Sequence, residues 1–114
     1  MGRVRELCRR LDNQVASEEL KELISRLPNK LNEYGYDDWG FSPDTAVYAV
    51  SVARWIYENY FRCEAHGTGY LPEKRAILVA NHSGQLPLDG MMICTAALLH
   101  GSPPRLLRAM VERW

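Results

Sequence analysis

Arg75-Ala76-Ile77-Leu78-Val79-Ala80-Asn81-His82-Ser83-Gly84-Gln85-Leu86-Pro87-Leu88-Asp89-Gly90 is the stretch on which the reading of this chain turns. Its first six residues are a short, apolar, partly β-branched run, the pattern of a buried strand. Beyond Gly90 comes an apolar segment of helix length, 91–100, closed by Gly101 and then by Pro103 and Pro104. A histidine and an aspartate therefore share the loop where a strand is expected to give way to a helix. Histidine exchanges a proton near neutral pH with little environmental tuning, and a nearby carboxylate fixes its tautomer and stabilises its cation. His82 and Asp89 are the candidate base and its orienting acid. A histidine after a strand often has a purely structural reason to be there; the Asn-His context and the following Asp-Gly favour the functional one.

The elements around this loop follow from caps and periodicity. Ser17 is a good N-cap, Glu18 and Glu19 suit the first turn of a helix, Leu20, Leu23, Ile24 and Leu27 form its apolar stripe, and Pro28 ends it. Residues 29–41 read as a loop in which Tyr34, Tyr36, Trp39 and Phe41 alternate with turn residues and are expected to dock on the domain's own core. Ser42 and Pro43 then open a helix reaching to about Tyr60, apolar on most of its circumference. No internal repeat, low-complexity tract or flexible linker stands out. Arg105 to Val111 has strand character, so the chain ends in a strand, helix, strand unit of the kind a parallel sheet with a right-handed crossover requires. The expected class is α/β, with N-terminal helices over 1–41 and, over 42–114, the start of a mixed or parallel sheet with a crossover helix.

Charge and cysteine content exclude some functions. Fourteen basic and fourteen acidic residues give no basic bias toward nucleic acid. The acidic residues gather in the middle, where 31–60 carries five against one basic residue, the usual mark of a solvated surface. Cys8, Cys63 and Cys94 are too few and too scattered for a disulfide framework, and a reducing compartment fits them. Cys63 and His66 have a Cys-x-x-His spacing without the second pair that a zinc site needs, so no metal is expected. The arginines among the first ten residues interrupt any signal-peptide core, and no stretch is long and apolar enough to span a bilayer. Val4, Leu7, Cys8 and Leu11 fall at helical spacing among Arg3, Arg5, Arg9 and Arg10, which fits a basic amphipathic helix lying on a membrane or packed on protein.

The run Val79-Ala80-Asn81-His82, followed within one loop by Asp89-Gly90, resembles the first sequence block of the glycerophospholipid acyltransferases, the family that includes the 1-acylglycerol-3-phosphate acyltransferases. The upstream Tyr60 to Gly67 and Leu71-Pro72-Glu73 resemble the strand and loop that lead into it. In that family four residues separate the histidine from the aspartate; here six do, Ser83 to Leu88. The Gly-rich, arginine-bearing and Glu-Gly-Thr-Arg-like blocks that follow in the family are not found between Arg105 and Trp114, so the chain reads as the N-terminal part of a longer acyltransferase.

The resemblance implies a membrane-associated enzyme of phospholipid biosynthesis. It would move a fatty acyl group from acyl-CoA or acyl carrier protein to a hydroxyl of a glycerol-based (lyso)phospholipid, peripherally, at the cytoplasmic face of a membrane. No cofactor is implied beyond the thioester acyl donor as substrate, and no nucleic acid. His82 would be the catalytic base and Asp89 its partner, and the backbone amides of Ser83 and Gly84 would help bind the substrate's developing oxyanion. The competing expectation is a non-catalytic lipid-binding or interaction module built on the same fold. A phosphate cradle around Gly84 is a weaker one, because a single glycine is no Gly-rich fingerprint.

Overall fold

The computed structural model describes residues 16–110, which divide between Trp55 and Ile56 into two compact units. The basic amphipathic stretch around Val4 to Leu11, with Cys8, lies outside the described residues, as does the end of the last expected strand from Val111.

The first unit is built on two helices. Helix α1, Glu18–Ser25, starts where the sequence places its cap: Ser17 is extended and its Oγ accepts a hydrogen bond from the Leu20 amide at 3.2 Å. Glu18 and Glu19 stand in the first turn, where the free amides favour negative charge. An eight-residue helix is too short to persist alone in water, so packing must hold it. Leu20 and Ile24, four residues apart on one face, are fully buried, and α1 packs against helix α2, Pro43–Trp55, whose Val47 and Ala53 are also buried. The Lys21–Glu18 pair at 2.8 Å and the Arg26–Glu22 pair lie on the exposed face, where such pairs add only a few tenths of a kcal/mol. Truncating Ile24→Ala is expected to cost about 2–5 kcal/mol, read as a fall in the urea midpoint of unfolding. A change smaller than about 1 kcal/mol would mean that this contact does not hold the unit together.

Between α1 and α2 the chain makes the same turn twice. Asn32 Oδ1 accepts from the amides of Tyr34 and Tyr36 at 2.9 and 3.1 Å, while Asp37 Oδ1 accepts from those of Trp39 and Phe41, both at 2.8 Å. The backbone repeats as well: Asn32 donates to Tyr36 O and Gly35 to Asn32 O, then Asp37 to Phe41 O and Gly40 to Asp37 O. Gly35 and Gly40 both have φ of 81°, the left-handed region in which a side chain is strained. This is a five-residue repeat that the sequence reading passed over. It also corrects the expected docking of the aromatics, since Tyr34, Tyr36 and Trp39 are exposed and Phe41 only partly covered.

The second unit contains a π-helical turn, Ile56–Tyr60, a 3-10 turn, Thr68–Tyr70, and helix α3, Leu88–His100, which packs against the 3-10 turn. Tyr57 is buried with its ring 5.8 Å from that of His100, and Thr95, Ala97 and Leu98 are the buried residues of α3. Gly101 caps the helix, though by close approach and not by a left-handed turn: its φ is −64°, and a Cβ there would stand 2.3 Å from Ala97 O. The same carbonyl accepts from the amides of Gly101 and Arg105, both at 3.1 Å. The Arg105 guanidinium reaches back to Pro72 O, and to Lys74 O at 3.2 Å, tying the chain after α3 to the loop before the histidine.

The α/β expectation is overturned: among the described residues there are helices and no strand, hence neither sheet nor crossover. The run 75–80 has no ladder, and Ile77 and Val79 are 82% and 91% exposed. Arg105 to Met110 and the chain before Gly67 likewise lack strand pairing. The physical reason is that β-branched, apolar composition expresses a preference for a paired, half-buried surface, not an intrinsic backbone state. Without a neighbouring strand to take its amides and carbonyls, such a run does not make a sheet.

Candidate active site

Asp89 is the second residue of α3, and the helix start positions it. Met91 donates to Pro87 O at 2.9 Å, closing the first turn, and the free amides of that turn attract the Asp89 carboxylate. Its own neighbour, Gly90, donates to Asp89 Oδ1 at 2.7 Å. Before the helix, Ser83 to Pro87 form a compact bend that includes Gly84 at φ 93°, again in the left-handed region. Across this bend the carboxylate of Asp89 returns to His82.

The resulting geometry is a clamp. His82 Nδ1 lies 2.8 Å from Asp89 Oδ1 and 2.9 Å from Oδ2, and the Ser83 amide donates to Oδ2 at 3.0 Å. These donors hold the Asp89 carboxyl down at about 2, well below its ordinary 3.8; the Ser83 amide matters most, then the His82 ring, then the Gly90 amide. The group is therefore ionised at neutral pH and accepts only. It follows that Nδ1 carries the ring hydrogen and donates it, so in the neutral imidazole Nε2 holds the lone pair. The His82 side chain is 57% exposed, and among the described residues nothing hydrogen-bonds to Nε2. In that form the nitrogen with the lone pair is the one that Asp89 does not engage, on a ring held at Nδ1.

The sign of the pH dependence follows from the depressed value. The interactions that favour the Asp89 carboxylate are complete above the ordinary range and are lost as pH falls from about 4 through about 2. Carbon-13 NMR of the Asp89 carboxyl should titrate with a midpoint near 2. A midpoint at the ordinary carboxylate value would show that the clamp does not persist in solution.

The structure thus brings His82, Ser83 and Asp89 together, and it alters what Ser83 can do. Its amide, a candidate for the substrate's oxyanion, is committed to Asp89. Gly84 sits at the bend itself. Gly90 was not among the candidate residues, although its place directly after the aspartate in the first turn of the helix was a signal for it. Cys63, His66 and Cys94 form no group that could hold a metal among the described residues. Instead, His66 stands 3.6 Å from Glu64, and partial burial in α3 pushes the Cys94 thiol up. No helix among the described residues is long and apolar enough to cross a membrane.

The chain is 35% identical over 82 residues to an uncharacterized protein of Mycobacterium leprae, a match covering 69% of this chain and 22% of that one. It is 29% identical over 90 residues to uncharacterized proteins of Mycobacterium tuberculosis and Mycobacterium bovis, covering 73% of this chain and 25% of each of theirs. The chain spans about a quarter of the length of the curated relatives it matches. No family model matches it, and no solved structure does.

Proposed function

We propose that this chain carries the acid–base centre of an O-acyltransferase, which moves a fatty acyl group from acyl-CoA or acyl carrier protein to a hydroxyl of a glycerol-based (lyso)phospholipid. The observation that carries this reading is the His82–Asp89 pair, with Nδ1 held by an ionised carboxylate and Nε2 open. A lipid hydroxyl attacks a thioester poorly until a base removes its proton during the attack, and a positioned imidazole does so near neutral pH. As the new C–O bond forms, the hydroxyl proton passes to Nε2. As the C–S bond breaks, the departing thiolate takes that proton back. The acceptor hydroxyl is the nucleophile, so no protein nucleophile is required. With the Ser83 amide engaged, the oxyanion of the tetrahedral intermediate would draw its hydrogen bonds from elsewhere, the Gly84 amide being the nearest candidate in the sequence. Because the acceptor is a membrane lipid, the protein would work peripherally at the cytoplasmic face of a bilayer.

The test supplies an acyl thioester and a lysophospholipid to the protein as it is made in its own cells. The expected result is release of free thiol that depends on the acceptor lipid and is matched by new ester. Lipid binding without thiol release would instead support a non-catalytic lipid-binding module.

A further inference from the structure

The stretch that carries His82 is held at its two ends and not between them. Residues 72–87 are all exposed, so packing does little to fix them. Among the described residues, none of 75–81 takes part in a hydrogen bond. An exposed run without such bonds opens easily, so where His82 stands depends on its ties. At the downstream end the Asp89 carboxylate takes the His82 ring and the Ser83 amide. At the upstream end the Arg105 guanidinium donates to Pro72 O, and to Lys74 O at 3.2 Å. Both ties lead to α3. Asp89 is its second residue, and the Arg105 amide donates at 3.1 Å to Ala97 O in its last turn.

We propose that Arg105 is a positioning residue for the His82–Asp89 pair: by pinning Pro72 and Lys74 to the end of α3, it keeps His82 within reach of the carboxylate at the start of the same helix. A guanidinium suits the task. Its planar fork offers donors to both carbonyls at once, and its charge strengthens each bond. The next contact with α3 upstream is the 3-10 turn Thr68–Tyr70. Without the Arg105 side chain the unheld stretch before His82 would therefore lengthen by residues 71–74, and closing a longer loop costs more entropy. The clamp on His82 would then be closed in a smaller fraction of molecules. The effect on turnover rests on the acyl-transfer reading, whereas the effect on the geometry of the pair does not.

The experiment records carbon-13 NMR of the Asp89 carboxyl and nitrogen-15 NMR of the His82 ring on the full chain and on Arg105→Gln, Arg105→Lys and Glu73→Gln. Circular dichroism checks that each variant keeps its fold. In Arg105→Gln the Asp89 midpoint should rise from near 2 toward 3.8, because the carboxylate loses the ring and the Ser83 amide for part of the time. The His82 ring should show less hydrogen on Nδ1 for the same reason. Arg105→Lys keeps the charge and can reach one carbonyl, so it should lie between; it also carries the comparison if glutamine costs the fold. Glu73→Gln changes only a neighbouring charge and should leave both signals in place. In the thiol-release assay Arg105→Gln should lose about tenfold in kcat with KM little changed, as when a base is less often in place. An unchanged midpoint and an unchanged tautomer in a folded Arg105→Gln variant overturn the proposal. So does an equal rise in Glu73→Gln, which would trace the effect to charge and not to the tie. A parent chain that transfers no acyl group, with the NMR signals moving as expected, would overturn the acyl-transfer reading and uphold the role of Arg105.

Discussion

His82→Ala is expected to lower acyl transfer by roughly a thousandfold to ten-thousandfold, the upper part of the range for a positioned general base. The loss should fall on turnover, because the imidazole acts on a proton in flight and contributes little to holding the thioester or the lipid. The fold should survive. The His82 side chain is more than half exposed, and its one described polar partner, Asp89, keeps the Ser83 and Gly90 amides when the ring is removed. Thiol release measured beside far-ultraviolet circular dichroism separates loss of chemistry from loss of structure. Turnover retained in a folded variant would remove His82 from the role of base.

How far the sequence carried the reading depends on the range of the forces concerned. The Ser17 cap and the Leu20 and Ile24 stripe are local, written in residues three and four apart, and each appears in the structure as read. Helix α3 and its closing Gly101 were equally legible, although the glycine serves close approach and not positive φ. The contact of His82 with Asp89 was legible too, and a bend at Gly84, in the stretch before helix α3, lies between them. That the described residues form no sheet was not legible, because strand identity depends on a partner that Ile77 to Val79 do not themselves contain. The exposed rings of Tyr34 and Trp39 were misjudged for a related reason. Burial is a property of what lies opposite, and apolar chemistry alone was read as if it guaranteed a cover.

Asp89→Asn should lower acyl transfer by about a hundredfold to ten-thousandfold, although the two side chains have nearly the same shape. The carboxylate offers two accepting oxygens, and three donors use them: the His82 ring at both, the Ser83 amide at Oδ2 and the Gly90 amide at Oδ1. An asparagine keeps one oxygen and replaces the other with a donating NH2 group. With the NH2 at the Oδ2 position, the Ser83 amide faces another donor; with it at the Oδ1 position, the Gly90 amide does. In either orientation the NH2 also comes within reach of Nδ1. The ring can satisfy that donor only by giving up its Nδ1 hydrogen, which moves the hydrogen to Nε2 and leaves that nitrogen with no lone pair to offer the lipid hydroxyl. Nitrogen-15 NMR of the His82 ring distinguishes this cause from simple loosening: the variant should show the hydrogen on Nε2, whereas the parent protein shows it on Nδ1. Full activity with an unchanged tautomer would show that Asp89 holds the loop and not the base. A tautomer change with full activity would separate the proton chemistry from this histidine altogether.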